Sequence, residues 1–387
     1  MISIEEALQI VHSQNVSRSL VKVPLSESLG YSLAEKVTAP FDLPSFDNSA
    51  MDGYAVCGRS DSYELTGEVP AGSTDQYSLK QGEAMRIFTG GKVPENTTAV
   101  IMQEKTRVEA STIYVDEPVT EGNHIRCRGG ELKKGEEVFE SGHFVNPATM
   151  GQIGSLGIDT LNVFRKPDIS IITTGDELLP LGAERREGQI YESNSLAIAS
   201  ALEEYGFSCS AKQHLQDDFD EIKNGIKSYL DRSEVLILSG GISVGDYDYV
   251  KQALLENGVE QLFYKVYQKP GKPLFFGRKE NKFVFALPGN PASSLTCFYL
   301  YVLPLLQKIS GSRETDLPRV SIPLSHSYES TYNRPVFLKA KLQDQQVTIL
   351  NGQGSSMIHS MATGNALVFV EQPKLLREGD LMECILI

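Results

Sequence analysis

The sequence predicts a multi-domain chain, α/β plus β, organised around a central three-layer α/β domain. Three observations carry that expectation. Between Asp168 and about Ser310, short apolar runs alternate with stretches of helical periodicity, as βαβ units require. On either side, at 51–118 and after Gly311, short β-rich runs alternate with turns bearing Gly and Pro. The chain has 387 residues, 41% of them hydrophobic, enough for more than one core at roughly 150 residues per domain.

The elements follow in order. Ser3 and Glu6 form a capping box, and Ile4, Leu8 and Val11 then repeat at helical spacing, so a helix is expected over 3–13. A short apolar stretch, 26–37, runs into the prolines at 40 and 44. The runs 54–56, 85–88, 99–102 and 112–115 predict a β-rich insert over 45–132. Texture then turns helical and mixed, with Pro147 opening a helix toward Gly154. That piece, 133–166, is expected to join 1–44 as one discontinuous helical domain.

The α/β domain, 167–311, reads as strands at 168–174, 208–215, 234–239 and 282–287. Helices are expected over 193–205, 218–230 and 249–255, and from Pro291 onward. The remainder, 312–387, carries five short strand-like runs and predicts a small β-barrel or sandwich.

Composition narrows the function. The net charge of −14 repels polyphosphate backbones, so general nucleic-acid binding is excluded. The same acidity suits a protein that gathers Mg²⁺ at carboxylates. Five cysteines without a CxxC pair fit reduced thiols and a cytoplasmic protein. The acidic, amphipathic N-terminus does not resemble a signal peptide. The longest apolar stretch, 297–306, is broken by Pro304 and too short for a bilayer, so no membrane partner is expected. Six unpaired histidines give no zinc pattern, and neither a Walker loop nor a G-x-S-x-G elbow occurs.

Ligands of parallel α/β sheets bind at the carboxyl ends of the strands. Four unusual loops are expected there: 173–178 (TTGDEL), 239–246 (SGGISVGD), 269–273 (KPGKP) and 287–291 (LPGNP). Gly240, Gly241 and Gly245, with Ser243 beside them, let backbone approach a ligand and aim its N–H groups inward. Pro288, Gly289 and Asn290 offer the same at the start of a helix. Lys269 and Lys272 supply positive charge, and Glu177, Asp246 and Asp248 supply hard oxygen ligands for Mg²⁺. Any one of these loops is an ordinary turn, with Asn290 as an N-cap and Asp246 and Asp248 charging a first helical turn. Four of them at one sheet end point to a phosphorylated ligand plus a divalent cation. In the insert, the dense polar segment 44–56 offers Asp52 as an acid, base or ligand, and Glu104 is a further carboxylate.

Taken together, SFDNSAMDGYAV, RIFTGGKVPENTTAVIMQE, ITTGDEL, SGGISVGDYDYVK, KPGKP and LPGNPASS resemble the molybdopterin molybdenumtransferases, the MoeA-type proteins also found as the C-terminal domain of gephyrin. The resemblance spans nearly the whole chain. It implies an α/β domain like that of molybdopterin-binding proteins, an elongated helical domain, a C-terminal barrel and a homodimer. The active cleft would lie between the α/β domain of one subunit and the insert of the other. The implied reaction transfers molybdenum from molybdate, the co-substrate, to the dithiolene of adenylylated molybdopterin, with Mg²⁺-dependent release of AMP. A molybdopterin adenylyltransferase is an implied partner.

Carried over by motif, Asp52 and Thr89 form the facing wall. Glu177, Asp217, Asp246 and Asp248 form an acidic group, and Lys265, Lys269 and Lys272 a basic group that holds phosphate. Arg334 and Ser355 match positions near the family's molybdate site. One departure stands out. Where the family often ends a strand in Gly-Glu-Asp, this chain has Gly129-Gly130-Glu131, so the Glu131 carboxylate reaches one methylene further. Competing readings are a molybdopterin adenylyltransferase, a non-catalytic gephyrin-like scaffold and a tungstate-selective relative.

Overall fold

A computed structural model describes residues 1–242 and 249–387. The chain divides into two compact units. One comprises Met1–Ala34, Gly142–Pro147 and Thr160–Ile387; the other comprises Glu35–Ser141 and Ala148–Asp159.

The first unit is built on a six-stranded sheet in the order Cys209–Leu215, Ile169–Thr174, Val235–Ser239, Lys282–Leu287, Phe275–Lys279, Glu260–Tyr264. The first four strands are parallel and the last two antiparallel to their neighbours. Ile169–Thr174 and Val235–Ser239 are buried along their whole length, as continuous apolar runs covered on both faces must be. One face packs under the helix Asn194–Glu204, the segment 291–309 and the N-terminal helix Ile4–Ser13, with Ile171, Leu202 and Phe298 in a shared core. The other face packs under Phe219–Arg232 and Tyr249–Glu256 through Ile172, Ile226 and Leu254. That is the expected three-layer arrangement. The strands Glu260–Tyr264 and Phe275–Lys279 extend it beyond the sequence expectation.

Local signals account for the ends of these helices. Ser3 and Glu6 close the predicted capping box. The Asp218 carboxylate accepts from the Glu221 N–H at 2.9 Å. Pro304 does not stop the last helical segment. A π-helical turn, Phe298–Val302, absorbs the break, and Leu303–Ile309 starts afresh with the proline in its first turn.

The C-terminal part of this unit is a five-stranded antiparallel sheet in the order Arg319–Pro323, Leu381–Leu386, Ala366–Val370, Val336–Gln343, Gln346–Ile349. A bridge between Leu324 and Val347 brings its two outer strands together, curling the sheet as a barrel requires.

The expectation of a discontinuous helical domain needs correcting. Its two segments hold one regular helix each, Ile4–Ser13 and Pro147–Ser155. The remainder is largely strand pairs and turns. Leu20–Pro24 pairs antiparallel with Thr160–Phe164 in the first unit, and Val37–Thr38 pairs with Glu137–Phe139 in the second. LVKVP and TLNVF alternate exposed and more buried side chains with period two, the strand signature.

The second unit carries a six-stranded mixed sheet, in the order Ala99–Met102, Gly53–Val56, Glu83–Ile87, Ser62–Val69, Thr112–Val115, Thr106–Glu109. Ala55, Ile87 and Val100 fill one of its faces and Val56, Tyr63 and Ile113 the other. Gly53 is obligatory, because a side chain there would run into the Ile101 carbonyl.

Candidate active site

In the first unit, a cleft of about 500 Å³ opens where the parallel strands end. The 173–178, 239–242 and 288–291 loops line it, with Asp217, the 190–194 segment, Pro273 and Ser356. Two of its walls depend on glycine. Gly240 and Gly241 have φ of +102° and +59°, and a Cβ on Gly241 would lie 2.7 Å from Thr174 Oγ1. Asn194 ties two loops together, its amide donating to Ser239 Oγ at 2.9 Å and the Gly289 carbonyl at 2.7 Å. Asn290 is not a side-chain N-cap; its amide donates instead to Ser355 Oγ at 2.9 Å. Ser355 also accepts from the Ser293 N–H at 3.2 Å. Thr174 Oγ1 is buried at the cleft with no hydrogen-bond partner among the described residues.

One side of the cleft is acidic. Burial raises the Asp217 pKa above the ordinary carboxylate value, and the charges of Asp176 and Glu177 raise it further. The Asp217 N–H donates to Asp176 Oδ1 at 2.9 Å, which holds these carboxyls together. Crowded like charges of this kind are relieved by a proton or by a cation. Among the described residues no set of three His, Cys, Asp or Glu side chains converges as a finished metal site. Asp246 and Asp248, expected to contribute, lie outside the described residues, as do Ser243 and Gly245.

The expected basic group does not line the cleft. Lys265 lies over the Tyr264 ring at 4.7 Å and Lys269 over the Tyr332 ring at 3.6 Å, each cation facing an aromatic π cloud. The Lys269 N–H donates to the Pro335 carbonyl, and its own carbonyl accepts from Phe337. Lys272 is exposed beside Pro273, which does line the cleft. Arg334 is half-buried next to Pro335.

In the second unit, Asp52 and Thr89 form a local pair. Asp52 Oδ1 accepts from the Thr89 N–H at 2.7 Å and from Thr89 Oγ1 at 2.8 Å. Those two bonds, with a smaller contribution from the charge of Arg86, hold the Asp52 pKa below the ordinary value. The carboxylate therefore stays ionised at neutral pH. Glu131 and Glu104 are exposed, and the Glu131 N–H donates to the Leu43 carbonyl at 2.9 Å.

Sequence reasoning brought Glu177, Asp217, Gly240, Gly241, Pro288, Gly289 and Asn290 to the cleft and Ser355 against its rim. It missed Asn194 and Ser356, and within the 173–178 loop it gave Thr174 no role of its own. Asn194 was within reach, because a polar Glu-Ser-Asn triplet opens a helix beside the strand ends.

Comparison with known proteins agrees with this layout. Residues 2–157 match the MoeA N-terminal region (domain I and II). Residues 170–308 match the probable molybdopterin binding domain, and 321–387 the MoeA C-terminal region (domain IV). The chain is 32% identical to molybdopterin molybdenumtransferase 2 of Mycobacterium tuberculosis, over 96% of each chain. It is 34% identical to the molybdopterin molybdenumtransferase of Haemophilus influenzae, over 90% of this chain and 89% of that one. A crystal structure of the molybdopterin biosynthesis MoeA protein from Pyrococcus horikoshii OT3 superposes over all of both chains with a TM-score of 0.85 at 28% identity.

Proposed function

The chain belongs to the MoeA family of molybdopterin molybdenumtransferases and acts in molybdenum cofactor biosynthesis, and from that premise we propose how its cleft works. The substrate is adenylylated molybdopterin, and molybdate is the co-substrate. The observation that carries this is the convergence of three glycine-bearing loops and a crowded acidic wall on one cleft. Gly240 and Gly241, which have no room for a Cβ, and Gly289 beside them let backbone come within reach of a phosphate. The N-terminus of the Asn194–Glu204 helix adds a favourable dipole for an anion.

Glu177 and Asp217 hold Mg²⁺, with Asp246 and Asp248 as further ligands. When bound, Mg²⁺ neutralises phosphate charge and polarises the bond that releases AMP. Asp52, kept ionised by Thr89, orients substrate donors rather than giving up a proton. Lys272, exposed beside the cleft-lining Pro273, supplies positive charge at the edge of the site. The protein works as a homodimer in the cytoplasm, receiving its substrate from a molybdopterin adenylyltransferase. Its five cysteines are all free thiols, in keeping with a reducing compartment. No helix among the described residues is long and apolar enough to cross a membrane.

The decisive experiment measures AMP release from adenylylated molybdopterin by the purified chain with Mg²⁺, with and without molybdate. Molybdate-dependent AMP release with active cofactor formed is the expected result. Tight substrate binding without AMP release would overturn the catalytic reading in favour of a scaffold.

A further inference from the structure

We propose that Lys339 is a positioning residue of this site. Its buried ammonium gathers three carbonyls of the 352–357 turn and so sets Ser355 and Ser356 against the cleft. The inference rests on reading that cleft as the substrate site.

Lys339 lies within the Val336–Gln343 strand, only 2% exposed. Its Nζ donates to the carbonyls of Gly352 at 2.7 Å, Gly354 at 3.0 Å and Met357 at 2.8 Å. An ammonium has three protons to donate, and here each has a carbonyl partner. All three partners belong to one six-residue turn, and none is a carboxylate.

The rest of the Lys339 environment serves the same turn. Its N–H donates to Gln353 Oε1 at 2.9 Å, and its carbonyl accepts from Gln353 Nε2 at 2.8 Å and from the Leu350 N–H at 3.0 Å. Ser360 Oγ donates to two of the same carbonyls, Gly352 at 2.7 Å and Met357 at 3.2 Å. The turn is thus wound around a fixed cation, its carbonyls inward. Its outer residues face the other way. Ser355 meets Asn290 and Ser293, and Ser356 lines the cleft.

Stability alone does not explain a lysine here. Burial pushes its pKa down to about 8, so the charged form is held against a desolvation penalty. Methionine has similar length and would fill the same space without that penalty. What methionine cannot do is donate to three converging carbonyls, which would then keep only Ser360 Oγ and, at Gly354, the Met357 N–H.

The test uses the full-length protein and the Lys339→Met variant. Amide hydrogen exchange is expected to quicken in the 352–357 turn and stay unchanged in the neighbouring Ala366–Val370 strand. The KM for adenylylated molybdopterin should rise about tenfold, with kcat falling less than about threefold. A folded variant with wild-type exchange in the turn, or with unchanged KM and kcat, overturns the proposal. If Lys339→Met does not fold, Ser360→Ala decides. It withdraws one donor from two of the same carbonyls and should raise KM about threefold. An unchanged KM in Ser360→Ala overturns the proposal in that case. A wild-type protein without turnover would sink the transferase reading instead, and the exchange result would still report whether Lys339 shapes the turn.

Discussion

Asp217 is placed where its own charge is unwelcome, half-buried and beside two other carboxyls. An acid whose pKa is raised on folding binds its proton more tightly in the native state than in the unfolded one. Its ionisation therefore erodes stability as pH climbs from the ordinary value of 3.8 through the raised one, and the loss is complete above that. Asp217→Asn should accordingly melt at a higher temperature than wild type at pH 7, with the gap closing toward pH 4. The same variant should lose more than about tenfold in molybdate-dependent AMP release and gain less from added Mg²⁺ in a thermal melt. Equal melting curves at pH 7 would show that the repulsion is not felt. Glu177 was legible in the sequence as an acid close to a glycine at a strand end, whereas Asp217, with no glycine beside it, came only through the family resemblance. Thr174 was not legible. Its buried, unpartnered hydroxyl is a fact of packing, since a threonine ending an apolar strand looks like any other β-branched residue.

Among the elements, the Gly240–Gly241 turn does most to open the cleft floor. Both residues sit at positive φ, and a methyl on Gly241 would lie 2.7 Å from both Thr174 Oγ1 and Val250 Cγ2. Gly241→Ala should destabilise the protein by about 1–3 kcal/mol from backbone strain and crowding. Turnover should fall by well over tenfold, because relieving that crowding shifts a turn that lines the cleft. Urea unfolding and a kcat measurement on one preparation check both halves, and a fully active, fully stable variant would remove this turn from the site. The sequence announced this element through its company, because one such loop is an ordinary turn and only four of them at one sheet end point to a site. It was quieter about strands that alternate. Leu20–Pro24 and Thr160–Phe164 alternate exposed and more buried positions around the polar Lys22 and Asn162, and Ser62–Val69 carries a glycine and five charged or hydroxyl side chains within its span. Short period-two runs without a continuous apolar core are easily read as mixed or helical texture. Ile169–Thr174 and Val235–Ser239, buried along their whole length, could not be misread in that way.

At the scale of the molecule, the proposed site residues fall into two groups on two compact units. Asp52 and Thr89 stand on the second, Glu177 and Asp217 on the first. A single chain carries both groups, and a homodimer can draw a working site from one subunit or from two. The homodimer we propose makes a specific demand. If the insert of one subunit serves the α/β domain of its partner, then Asp52→Ala and Asp217→Asn are each inactive alone, yet they complement each other. In a mixed dimer one site carries both lesions and the other carries neither. Random exchange of equal amounts makes about half the dimers mixed, so about a quarter of wild-type AMP release should return. If each site is built within one chain, every site in the mixture keeps one lesion and nothing returns. Light scattering on the same mixture confirms that dimers are present to exchange. Recovery near a quarter establishes a shared site. Its absence in a demonstrably exchanging dimer would return Asp52 and Asp217 to a single subunit, leaving the dimer to be explained by something other than catalysis.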